Sequence, residues 1–164
     1  MTEGPEDQGR VAFAEAIGKA IAEAEARDEA VCVACLGVLN SARAAELVGE
    51  DGARAIHDEL ERALAKAIRG GDFMQRLGGD RFGFVLHETE ADILEIVGRR
   101  LVTQLIRVGA AAPAKAAELG TALGIAYYGD SQPTSDAAGA ADVLAEAEQA
   151  LAEALAEGAG RIVI

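Results

Sequence analysis

The chain has no tryptophan and only four phenylalanines and two tyrosines among its 164 residues. Large aromatic side chains can therefore supply only a small part of its interior. Although 51% of the residues are hydrophobic, much of that is alanine, so the core has to be small-residue packing between helices and a sheet. Basic residues are scarce as well: 15 lysines and arginines stand against 28 acidic residues, a formal net charge of -13. Such a surface repels nucleic-acid phosphates and anionic membrane, which excludes polymer binding as a default role. No long apolar run exists. The longest uncharged stretch, Ala30 to Ala42, is well short of the roughly 18–20 apolar residues that span a bilayer, and the acidic start lacks the basic-then-apolar pattern of a signal peptide. A cytoplasmic domain is the expectation.

Cysteine and histidine are nearly absent. Cys32 and Cys35 form a CxxC, the spacing of a redox pair or half a zinc site, yet both lie in VCVACLGVL, a strand-like run. Side chains three apart on a strand point to opposite faces, so these thiols are expected to be buried and structural, sharing neither a disulfide nor a metal. His57, among Arg54, Asp58 and Glu61, reads as a surface residue, and His87 at a strand end reads the same way. No metal site and no cofactor are expected.

The length suits one domain across residues 1–164, with residues 1–8 expected to be poorly ordered. From Val11 to Arg27, apolar residues recur at helical spacing through Ala14, Ile17, Ile21 and Ala24. Val31 to Leu39 follows as a continuously apolar strand, covered on both faces and central in its sheet. Ala53 to Ile68 returns to helical spacing through Ile56, Leu60 and Leu64, and stops at Gly70 and Gly71. Phe73 to Leu77 and Phe82 to Leu86 are strand-like runs about the paired glycines Gly78 and Gly79, a β-hairpin with Phe82, Phe84 and Leu86 on one buried face. A helix from Glu90 to Arg107, a connection containing Pro113, a strand from Thr121 to Tyr128, a polar loop through Pro133, a helix from Asp136 to Glu157 and a strand from Arg161 to Ile164 complete the order. Tyr127 and Tyr128 read as one core and one surface contact, and Arg76 as a residue that positions the hairpin.

This order, with RLGGDRF at Arg76 to Phe82, resembles the GGDEF family of bacterial diguanylate cyclases, relatives of the adenylyl cyclase and polymerase palm folds. Arg10 and Phe13 look like the remnant of the family's NRxxF opening, and GAGRIVI resembles its closing loop and strand. The resemblance implies an α/β (α+β) palm-like fold, a central and mostly antiparallel sheet of about five strands flanked by helices. Active members join two GTP molecules held on two facing domains, a reaction carried by metal-holding carboxylates and triphosphate-holding cations. By this resemblance the first-strand metal aspartates fall at Cys35 and Gly37, neither a hard oxygen ligand through its side chain. The motif keeps Gly78, Gly79 and Asp80, but the next glutamate is Arg81. The guanine-reading asparagine aligns with Arg43 and its partner aspartate near Gly52 or Ala53. The triphosphate-gripping residues align with Leu155 and Ala159. A single loss could be compensated by a neighbour such as Glu46 or Asp51, but together these losses imply that no residue is catalytic.

The same resemblance points to what is kept. Family members often carry an RxxD inhibitory site that binds the product, cyclic di-GMP. Arg69, Gly70, Gly71 and Asp72 stand at that spacing, with Arg100 at the place of an additional arginine on the following helix and Arg99 adjacent. An arginine fork grips phosphate or the O6 and N7 edge of guanine, and a carboxylate accepts from N1 and N2. Against this stands a plainer reading, in which Asp72 is structural, Arg69 complements its own helix dipole and Arg100 lies on a solvated face. The net charge does not forbid the ligand, since charges beyond about 8–10 Å are screened. The expected role is an inactive cyclic di-GMP receptor, its first alternative a nucleotide-independent interaction scaffold with a protein partner and its second a residual diguanylate cyclase or GTP-binding domain; the resemblance also allows a ligand-mediated homodimer, since the dinucleotide can bridge inhibitory sites of two family domains.

Overall fold

A computed structural model describes residues 5–27, 31–67, 72–77, 81–86, 99, 120–128, 140–158 and 161–163. Eight elements follow in order: α1 (Pro5–Arg27), β1 (Val31–Leu39), α2 (Ser41–Ala67), β2 (Phe73–Arg76), β3 (Arg81–Leu86), β4 (Gly120–Tyr128), α3 (Ala140–Glu157) and β5 (Arg161–Val163). Of the expected Glu90–Arg107 helix only Arg99, which is helical, is described, and the Pro113 and Pro133 connections and His87 lie outside the described residues.

The strands form one sheet in the order β2-β3-β1-β4-β5, antiparallel except for the parallel pair β4 and β5. The unbroken apolar run of β1 is thereby explained, because it sits at the centre with helices on both sides. Its alternate residues belong to different cores. Cys32, Ala34, Leu36 and Val38 meet Phe82, Phe84 and Leu86 of β3 and Ile56, Leu60 and Leu64 of α2. Val31, Val33 and Cys35 meet Phe13, Ile17 and Ala20 of α1 and Val143, Ala147 and Leu151 of α3. The two thiols are free, buried and on opposite faces.

Small residues let the layers close up. A methyl group at Gly83 would fall 2.5 Å from the ring of Phe13, and one at Gly124 would strike the α3 backbone at Leu151 and Ala147. These glycines are what allow α1 and α3 to lie directly on the sheet, the close approach that an alanine-rich, tryptophan-free chain depends on.

Two boundaries differ from the periodic pattern. Helix α1 begins at Pro5, where proline suits a first helical turn whose N–H groups have no intrahelical acceptor. Helix α2 begins at Ser41 and is broken by Gly49, whose φ of 79° and ψ of 170° kink it into two segments. The first segment escapes the pattern because it has no inward apolar stripe; Leu47 on it is 52% exposed. Asn40, with φ 65°, turns the chain from β1 into this segment, a left-handed conformation asparagine tolerates.

His57 is a correction. It is buried, not on the surface, and its Nδ1–H donates to the Ala53 carbonyl at 2.7 Å. Its spacing from Ala53, Leu60 and Leu64 puts it on the inward stripe of α2, a placement its charged sequence neighbours concealed. Among the described residues no partner meets its Nε2.

Candidate functional site

Three of the positions that the resemblance singled out come together at one end of the sheet, on the face covered by α1 and α3. Cys35 and Gly37 are two residues apart on β1 and share that face, and Arg81 of β3 stands directly across from Gly37 in the antiparallel register. A side-chain carbon at Gly37 would meet Leu151 Cδ1 and Leu155 Cδ2 of α3, each at 3.3 Å. Leu155 therefore packs toward the strand at Gly37. Leucine methyls crowd the spot a carboxylate would need.

Electrostatics at this end favour the same conclusion. Burial pushes the Cys35 thiol up to about 12, helped by the carboxylate of Glu148 and opposed by the guanidinium groups of Arg81 and Arg10. Arg10 is itself paired with Glu148 at 2.8 Å, tying α1 to α3. A protonated thiol, a glycine and an arginine do not fit a hard divalent cation, which needs anionic or carbonyl oxygens. Among the described residues, no three His, Cys, Asp or Glu side chains cluster to hold a metal ion. Arg43 lies elsewhere, exposed on the first segment of α2. Gly78, Gly79, Asp80 and Ala159 lie outside the described residues; Leu77 N–H donates to the Arg81 carbonyl at 2.8 Å.

The other end of the same strands carries a different feature. Asp72, half-buried just before β2, lines a cavity of about 250 Å3 together with Phe73 of β2, Val85 of β3 and the facing side of α1. Val85 is four residues along β3 from Arg81, so at ~3.3 Å per residue roughly 13 Å separates the two ends. The Asp72 carboxylate also acts on the sheet behind it: burial first, and then this charge, pushes the Cys32 thiol up. Arg69, Gly70, Gly71 and Arg100 lie outside the described residues, and Arg99 is exposed on a helix.

Arg76 does what its position beside the turn suggests. Its guanidinium donates to Asp58 at 2.6 Å and lies 3.6 Å from Glu61, fixing edge strand β2 to α2. The sequence reading missed the α1 wall of the cavity, since nothing in a helix of alternating alanines and charges shows which side faces a strand 50 residues on.

The GGDEF sequence pattern, described as "Diguanylate cyclase, GGDEF domain", matches residues 8–161. With this sheet order and hairpin, the chain belongs to the GGDEF family. Solved structures share its fold. The GGDEF domain of DgcB from Caulobacter crescentus, in complex with c-di-GMP, superposes with a TM-score of 0.78 at 17% identity over 94% of this chain and 88% of that one. The active GGEEF domain of a diguanylate cyclase from Vibrio cholerae gives 0.77 at 19% identity, covering 93% of each chain. The diguanylate cyclase SiaD of Pseudomonas aeruginosa, in complex with its activator SiaC, gives 0.77 at 20% identity over 94% of this chain and 57% of that one. No curated protein matches. Among the described residues no helix is long and apolar enough to cross a membrane.

Proposed function

We propose that this GGDEF domain is a catalytically inactive receptor for cyclic di-GMP, binding through Arg69 and Asp72 with Arg100 from the following helix. The observation that carries the receptor reading is the cavity beside Asp72, a concave space with a carboxylate on its wall at the motif whose spacing suits the ligand. Loss of catalysis is supported by the leucine packing at Gly37 and by Arg81 across from it, because phosphoryl transfer rests on metal positioning and charge neutralisation. The DgcB domain was solved with this dinucleotide, which makes the ligand class a reasonable one for a relative of the same fold.

Titration calorimetry tests the reading. Cyclic di-GMP is expected to bind the wild-type chain and to lose at least about tenfold in affinity with Arg69→Ala, the scale of a charge-assisted contact. No binding at tens of micromolar, or binding indifferent to Arg69, refutes the receptor. Incubation with GTP and magnesium followed by chromatography is expected to yield no cyclic di-GMP; product formation would restore the enzyme. A second reading, a scaffold that recognises a protein partner, is favoured by SiaD being solved with its activator SiaC. It predicts a partner whose capture ignores nucleotide.

A further inference from the structure

The Asp72 cavity has a second wall that the RxxD motif does not supply. Ala16, Lys19, Ala20 and Glu23 of α1 face Asp72, Phe73 and Val85 across it. Positions 16, 19, 20 and 23 recur at three- and four-residue spacing, so one face of one helix builds the wall. Ala16 and Ala20 are the small residues of this wall, and the exposed Lys19 and Glu23 bring charge of both signs to the lining. At about 250 Å3 the space is below the ~300–1,000 Å3 of clefts that take drug-sized ligands, so it suits one ring system rather than a whole dinucleotide.

The charge pattern chooses the ring. Two carboxylates on the lining, Glu23 and Asp72, against one ammonium, Lys19, favour a ligand edge rich in N–H donors over a phosphate. Guanine offers three on one edge, N1–H and two from N2, next to the O6 acceptor. One carboxylate can accept from N1 and one N2 hydrogen, the second can accept the remaining N2 hydrogen, and an ammonium suits O6 or N7. Adenine presents its N1 lone pair where guanine presents N1–H, so the same carboxylate meets it with repulsion. Resting on the receptor reading above, we infer that Glu23 and Lys19 of α1 are specificity-determining residues for a guanine base seated in the Asp72 cavity, with the phosphodiester left outside it.

The experiment is calorimetric titration of the full chain with cyclic di-GMP, cyclic di-AMP and GMP, comparing wild type, Lys19→Ala, Glu23→Ala and Arg69→Ala. Lys19 and Glu23 are exposed helix positions, so their alanine variants keep the fold, which circular dichroism melts verify. Each α1 variant is expected to weaken cyclic di-GMP about tenfold, and Glu23→Ala to narrow the preference over cyclic di-AMP. Wild-type binding lost in Arg69→Ala but unchanged in both α1 variants overturns this inference and leaves the receptor standing. Absence of wild-type binding to both cyclic di-GMP and GMP overturns the two together.

Discussion

Gly37 shows how much one missing side chain decides. In its register with Arg81, and with Leu151 and Leu155 each 3.3 Å from where a Cβ would sit, it closes a space that a carboxylate would otherwise hold open. Gly37→Asp is expected to lower the unfolding free energy by about 1–3 kcal/mol, since overpacking and a buried charge outweigh what the facing guanidinium returns. Urea denaturation reads this, and an unchanged midpoint would show that the leucines yield readily. The same variant is expected to form no cyclic di-GMP from GTP. The letters at Cys35, Gly37 and Arg81, and their shared end of the sheet by strand register, were within reach of the sequence. That Leu155 reaches Gly37 was not, because contact between residues more than a hundred positions apart depends on how α3 seats on the sheet.

Among the elements, the hairpin and the central strand declared themselves through local chemistry: paired glycines between alternating phenylalanines, and an apolar run that only a doubly covered strand can use. The early part of α2 did not, lacking an inward stripe, and neither did the burial of His57, whose charged neighbours point elsewhere. The tether between β2 and α2 belongs to this scale too. Arg76, 22% exposed at its side chain, pairs with Asp58, which is 47% exposed, so water screens the pair on one side. Arg76→Ala is expected to cost about 0.5–1 kcal/mol and to raise amide exchange in β2 more than in β1. Equal protection in both strands would mean that the ladder to β3 alone holds the edge.

For the molecule as a whole, the two thiols set a pH limit. Both are held above their ordinary value of 9.0, chiefly by burial, so the native chain keeps protons that the unfolded chain releases. Stability is then full below pH 9 and falls as pH rises above it, by up to about 1.4 kcal/mol per pH unit for each thiol. Urea midpoints measured from pH 8 to 10.5 test this, and Cys35→Ala is expected to flatten the slope by roughly half. A slope unaffected by removing the thiol would assign the loss to other groups. The sequence by itself determined the family and the order of the described elements, since periodicity, turn residues and side-chain type are local properties. Only the tertiary structure decided that α3 leucines fill one end of the sheet and that α1 walls a cavity at the other. Those outcomes follow from which helix face meets which strand, and that is set by packing across the whole chain.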